Sequence, residues 1–544
     1  MPSEFEEKLV EMINRGQPDD AILTCKKNAA VYGYHKDTAE ILNNIARKFK
    51  EKNALSVAEK LLKASIEIYP GYVKSYADLG FVQKDMKKLK QAEESFKKAI
   101  DLNPGLGAAY NDRGLVLHAL KKYDAAEESY RKAIDLNPTD AIAHNNLGFL
   151  YKDLKRFKRA EEHYHIAISL DPKFSAAYDN LGVTLFSQER YDEADEFFKK
   201  AIDVDSSNVS AYINQGLIFY HQKRYEEAEE SYSKVLSIDP GFMVAYSDLG
   251  LVLYHLKRFE EAEEKYRKAI ELDSMNALAY NNLGIILLNL KKYSESKESF
   301  EKAIELDANL VQAKRNLGLV LNKIKNFKDA EIAYKKAIKA DPNNPGIYND
   351  LGLVLYRLNK FEEAEESYKK AIKLKKNFSS AYNNLGECLY AWKKLDEAEK
   401  YIRKAIVLND KNAFAYNNLG LVLYEKGREQ KENKILLEAM KFYNKAIKLN
   451  PEFAEGYNNL GMLFYELKKY SSAERAFKRA INLNRRDARA YNNLGLVLFS
   501  LQKKVEARKA INIAIVLDPN LVKFDREKRK AISYRVSEDL KKKN

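Results

Sequence analysis

Glycine returns along this chain at a fixed interval. Gly80, Gly114, Gly148, Gly182, Gly216, Gly250, Gly284, Gly318, Gly352, Gly386 and Gly420 are each 34 residues apart; Gly461 follows after 41 and Gly495 after another 34. A period of this length specifies a stacked array, in which one short unit is copied and packs only on its neighbours. That overrides the three or four globular domains that 544 residues would otherwise suggest.

The segment from Tyr110 to Pro138, YNDRGLVLHALKKYDAAEESYRKAIDLNP, shows what is being copied. Leu115, Val116, Ala119 and Leu120 recur at helical spacing, as do Ala126, Tyr130, Ala133 and Ile134. The polar run KKYD divides them. The pattern predicts helix A over 108–120 and helix B over 124–136, with Pro138 ending helix B because it cannot continue the hydrogen-bond ladder. Each helical glycine costs about 1 kcal/mol against alanine, so thirteen of them need a packing reason. Small residues twelve positions on, such as Ala92, Ala126, Ala160 and Ala194, are expected to face them. Aromatics four before, such as Tyr76, Tyr110 and Tyr382, are expected to be the knobs for the resulting holes.

Aromatic-x-x-Leu-Gly, followed by Ala, Phe/Tyr, Ala and Pro at these offsets, resembles the tetratricopeptide repeat. The likeness runs from about Ile41 to Pro519. It implies an all-α fold: a right-handed α-solenoid superhelix of stacked helix-turn-helix units. Residues 1–38 read as an N-terminal helical cap or decayed repeat. Residues 39–70 form a degenerate repeat with Ala46 in the glycine position, and residues 71–520 hold thirteen clear repeats. Residues 521–544 are a basic capping helix, over Lys523 to Ser537, and a tail. Proline gives way to Ser206, Ser274, Ala308, Lys376, Asp410 and Arg485 in six repeats. GREQKENK adds seven residues to the Gly420 repeat, which is close to two helical turns. It either lengthens both helices or bulges as a loop.

Two positions before every glycine stands an amide or a carboxylate: Asp78, Asp112, Asn146, Asn180, Asn214, Asp248, Asn282, Asn316, Asp350, Asn384, Asn418, Asn459 and Asn493. At about 100° per residue this position points away from the seam with helix B. Neither residue favours a helix interior. Asparagine offers an acceptor and two donors, which suits it to a peptide main chain. The series resembles the asparagine ladder in the repeat domain of the O-linked N-acetylglucosamine transferase, where it holds a peptide backbone. Only 25 residues follow Pro519, too few for that enzyme's catalytic domain. The sequence leaves a second use open, in which the amides bond a neighbouring helix and set the pitch. Four positions after the glycine runs an aromatic stripe, with Tyr220, Tyr254, Tyr356, Tyr390, Tyr424 and Tyr465 expected to share the groove. The position just after the glycine is apolar, Glu387 excepted, which argues against the carboxylate clamp by which some adaptors of this family grip a chaperone tail.

Charge adds little. The net charge is +14, but most charged residues fall in helix-B pairs such as Glu93/Lys97 and Glu127/Arg131, which read as a solvated face, and over a third of the net charge lies in the last 24 residues. Cys25 and Cys388 have neither metal nor disulfide spacing, and His163 and His165 fall on different sides of one helix. His221 and His255, in equivalent positions of consecutive repeats, could approach one another in the groove, but they read rather as exposed polar filler. No run is apolar enough for a membrane span, and the acidic amphipathic start is not a secretory signal. No phosphate loop, dinucleotide fingerprint or nucleophile elbow is present, so neither cofactor nor catalysis is expected. The expectation is a cytoplasmic, non-enzymatic scaffold for extended peptide segments of partner proteins. The alternatives are nucleic-acid or acidic-partner binding through the basic C-terminal tail, which the ladder aspartates argue against in the groove, and self-assembly.

Overall fold

A computed structural model describes residues 2–519, which form thirty α-helices and no strand. They fall into two compact bodies, one with the sixteen helices up to Leu272 and one with the fourteen from Asp273 onwards. Each body is a succession of two-helix hairpins, every hairpin packed on the next. In the Gly114 repeat helix A is Gly107–Ala119 and helix B is Tyr123–Leu136, within a residue of the boundaries the periodicity predicts.

The periodic glycine is explained by a ring. A Cβ on Gly114 would lie 2.6 Å from Tyr130 Cε1, and one on Gly352 would lie 2.6 Å from Tyr368 Cε1. The contact recurs at Gly80 with Phe96, Gly284 with Phe300 and Gly461 with Phe477. The knob is thus the residue sixteen positions on, not the aromatic four before. Ala126 and its equivalents are fully buried and let the helices close, but they do not fill the glycine hole. The aromatics four before lie further out on helix B, as Tyr382 does on Tyr401 with ring centroids 6.2 Å apart.

Turn chemistry differs from the proline-based expectation. Helix B of the Gly182 repeat ends at Val204, and that of the Gly284 repeat at Leu306, although Ser206 and Ala308 replace proline. The stop comes from the Asn or Asp that follows. Its side-chain oxygen accepts the backbone N–H two residues on, as Asp205 does from Ser207 and Asp307 from Asn309. At the A–B turn Lys121 sits at φ 60°; its N–H bonds the His118 carbonyl while Lys122 N–H bonds that of Leu117. This is a Schellman cap made with lysine where glycine is usual.

Helix-B acids reach beyond their own helix. Glu127 does pair with Arg131, at 2.8 Å, but Glu93 pairs with Lys122 of the next repeat at 2.7 Å. The same inter-repeat bridge links Glu331 to Lys360 and Glu474 to Lys503. At the N-terminus the helices are Pro2–Asn14, Pro18–Tyr32, His35–Glu51 and Leu55–Ile68. The degenerate repeat therefore opens about one turn before residue 39. The seven inserted residues lengthen both helices: helix A of the Gly420 repeat runs Ala413–Gln430 and helix B Asn433–Leu449, joined at Lys431, with Gly427 letting Leu436 approach. The capping helix expected over 523–537 lies outside the described residues.

Candidate peptide-binding groove

Helix A turns two adjacent positions to the same face, and both carry amides. The position three before the glycine is buried at Asn111, Asn145, Asp179, Asn383, Asn417 and Asn458. The ladder position beside it is half-buried at Asn146, Asn180, Asn384, Asn418, Asn459 and Asn493. A ladder Nδ2 donates to the Oδ1 of the inner residue one repeat earlier. The bonds are Asn146 to Asn111 at 2.9 Å, Asn180 to Asn145 at 3.0 Å and Asn214 to Asp179 at 3.2 Å. In the second body they are Asn316 to Asn281, Asn384 to Asn349 and Asn493 to Asn458 at 3.0 Å, Asn418 to Asn383 at 3.1 Å and Asn459 to Asn417 at 2.9 Å.

The remaining ladder residues differ for a local reason. Asp78 accepts from Asn43 at 2.7 Å, and Asp350 from Arg315 at 2.8 Å, so a carboxylate stands where the inner residue is a donor. Asn282 accepts from its neighbour Asn281. Asp112 and Asp248 follow Ala77 and Ile213, which offer no polar partner one repeat back. Burial pushes both carboxyls up to about 6. The architectural use that the sequence left open is therefore present. It takes one of two amide hydrogens, leaving the second hydrogen and the carbonyl oxygen of Asn384, Asn418, Asn459 and Asn493 without a partner among the described residues.

In the second body these groups converge. A groove of about 770 Å³ is lined by Asn384, Asn418 and Asn459, the inner Asn383 and Asn417, Tyr356 and Tyr390, Glu387, Leu421, Phe414, Glu455 and Arg489. Burial pushes the Tyr390 hydroxyl up to about 12 and raises the carboxyl of Glu387 against the pull of Arg357. The rest of the aromatic stripe is partly spent on packing. Tyr220 meets Tyr225, Tyr254 meets Phe259 and Tyr465 meets Tyr470, at centroid distances of 5.9, 5.9 and 5.6 Å, each partner opening its own helix B. Tyr424 is buried. His221 and His255 do not pair; they stack on Tyr191 and Tyr225 of the preceding repeats.

Family models of the tetratricopeptide repeat match at residues 73–106, 141–174, 175–204, 209–242, 277–310, 310–377, 349–413 and 458–521, and TPR-repeat models at 114–155, 252–291 and 436–468. The chain belongs to the tetratricopeptide repeat family. Its members build protein-interaction scaffolds from such arrays. Similar solved structures include the APC/C hetero-tetramer Cut9–Hcn1, 16% identical over 88% of this chain and 99% of that one, with a TM-score of 0.43. YrrB, described as a TPR protein with an unusual peptide-binding site, is 24% identical over 34% of this chain and 96% of its own, with a TM-score of 0.31. Pseudomonas aeruginosa pilF is 25% identical over 39% and 96%, with a TM-score of 0.35. No curated protein matches the chain.

Two features of this tetratricopeptide array escaped the sequence reading. The inner amides are one; the doublet Asn-Asn before Leu-Gly, as at Asn383–Asn384 and Asn458–Asn459, is the signal that would have found them. The other is a partly buried imidazole pair, His144 Nδ1 to His163 Nδ1 at 3.0 Å. Burial, then the neighbouring His144, lower His163 to about 4. His165 lies apart, against Phe197. Among the described residues no three metal-ligating side chains converge, and no helix is long and apolar enough to cross a membrane.

Proposed function

We propose that this chain is a non-enzymatic scaffold whose helix-A face grips extended segments of partner proteins, with the ladder from Asn384 to Asn493 as the main-chain contact. One observation supports this above the others. Asn384, Asn418 and Asn459 line a single open groove, each held in orientation by one bond to the preceding repeat. An amide fixed in this way keeps a donor and an acceptor for a peptide N–H and C=O without reading the side chain. Tyr356 and Tyr390 add apolar wall, so affinity is spread over several modest contacts.

The test replaces Asn384, Asn418, Asn459 and Asn493 with Ala in the full chain and measures retention of captured partner segments. Binding should fall by about tenfold or more, as for the loss of several hydrogen bonds of about 0.5–1.5 kcal/mol each. Unchanged binding, with helicity and the fluorescence of the lone Trp392 intact, rejects the ladder as the contact surface.

A further inference from the structure

The groove is not chemically uniform along its length. The position just after the repeat glycine is Phe81, Leu115, Val183, Leu353 or Leu421 in other repeats, and glutamate only at Glu387. Glu387 is half-buried in the groove wall, which it shares with Tyr356 from the repeat before and with Tyr390 one turn further along its own helix. Among the described residues no basic side chain comes within 4.0 Å of it. Arg357 acts on it from beyond ion-pair distance, and the Tyr356 hydroxyl lowers its carboxyl only slightly further. Glu455 adds a second carboxylate to the lining, while the exposed Arg489 is the one cation there. Both tyrosine rings have a cation of their own chain within reach: Arg357 lies 5.5 Å from the Tyr356 centroid and Lys393, at the A–B turn, 5.8 Å from that of Tyr390.

A carboxylate that shares a groove wall with two tyrosine rings is complementary to an alkylammonium or guanidinium group, through a charge-assisted hydrogen bond and cation–π attraction. It is a poor neighbour for an apolar or acidic side chain, which would leave it desolvated and unpaired. We infer that Glu387, with Tyr356 and Tyr390, forms a side-chain pocket in the groove that selects a lysine or arginine of the bound segment. The ladder then supplies register-independent grip, and this pocket sets the register. The inference rests on the groove reading above. A cation in the pocket also offsets, by charge pairing, the desolvation that raises the Glu387 carboxyl.

The experiment uses the full chain and an arrayed positional-scanning library of acetylated nonapeptides, each position fixed in turn as one of the twenty amino acids. Wild type should retain peptides with Lys or Arg at one position about tenfold or more over those with Leu or Glu there, the discrimination expected of one charge-assisted contact. Glu387→Leu, which restores the residue common in other repeats, should abolish that preference and keep main-chain binding. Glu387→Lys should reverse it towards Asp and Glu. The same preference for Lys and Arg in Glu387→Leu overturns the pocket, as does a wild type that binds peptides without it. If wild type retains no peptide, or an Asn384→Ala, Asn418→Ala, Asn459→Ala variant retains all of them unchanged, the groove reading fails and the pocket with it.

Discussion

The bond between Asn418 and Asn383 allows the architectural use of the ladder to be measured. Asn418 Nδ2 donates to Asn383 Oδ1 at 3.1 Å; the acceptor is 7% exposed, while the donor faces the groove. The two ends therefore should not cost the same. Asn418→Ala strands a buried carbonyl oxygen, a desolvation penalty of about 1–3 kcal/mol. Asn383→Ala leaves an amide that can turn to groove water, so only the net bond is lost, about 0.5–1.5 kcal/mol. The double variant removes both polar ends and should cost less than the sum, giving a coupling energy of about 1 kcal/mol. Trp392 is the only tryptophan and caps the helix that carries Asn383, stacked on Phe361 with centroids 6.3 Å apart. Its fluorescence in a urea titration thus reports the repeats in question. Additive single variants, or a larger loss for Asn383→Ala than for Asn418→Ala, would refute the asymmetry and the spacer role with it.

Gly352→Ala gains about 1 kcal/mol of helix propensity but drives a methyl into the Tyr368 ring, whose Cε1, Cδ1 and Cζ lie 2.6 to 2.9 Å from the new carbon. Overpacking of about 1–3 kcal/mol should win, lowering the urea midpoint read at Trp392. Tyr443→Phe should stabilise by about 1 kcal/mol: its hydroxyl is buried without a partner, and Phe198, Phe300 and Phe477 fill the same position elsewhere. Hydrogen exchange in helices Ala413–Gln430 and Asn433–Leu449 would show slower opening; faster exchange would count against it. Asp112 and Asp248, raised by burial from 3.8 to about 6, stabilise the fold most when protonated. Their contribution is complete below about pH 4 and is lost as pH rises through 6. Asp112→Asn and Asp248→Asn should each gain about 1–3 kcal/mol at pH 7 and nothing at pH 3.5, measured by urea titration followed by circular dichroism. An equal gain at both pH values would exclude the titration as its source.

The helices of this tetratricopeptide array were legible because their apolar periodicity repeats thirteen times and each repeat confirms the last. What the period cannot show is which side chain enters which hole. The glycine was read correctly as a close approach, but its occupant, Tyr130 and its equivalents, is fixed by how a helix-B side chain leans across the seam. The turns were half legible. Pro138 looks like the stop, yet the Asx oxygen at Asn137 accepts the Thr139 N–H in the same way that Asp205 accepts Ser207 where no proline stands. The ladder was found from its position relative to the glycine. The groove at Tyr356, Asn384 and Glu387 was not, because it forms where side chains from separate repeats converge.

The choice between Asn and Asp along the ladder follows from the residue 35 positions back. Where that residue is Asn111, Asn145, Asn383 or Asn458, the ladder residue is an asparagine that donates to it. Where it is Arg315, which has only donors, or Asn43, whose Oδ1 is already taken by the Ser75 hydroxyl, the ladder residue is an aspartate. Ala77 and Ile213 make no demand, and there too the ladder carries aspartates. A pure spacer needs no more than this complementarity. Binding needs something further: an amide whose free donor and acceptor are exposed and already oriented. The long runs of consecutive asparagines from Asn384 to Asn493 satisfy both conditions, because the bond to the inner residue fixes the side-chain torsion that a ligand would otherwise have to order, at about 0.5–1.5 kcal/mol per side chain. In the proposed reading the inner amide, bonded to the next repeat, aims the outer one. The aspartates at 112 and 248, lacking that partner, remain desolvated carboxyls with raised pKa and stand outside the run of oriented amides.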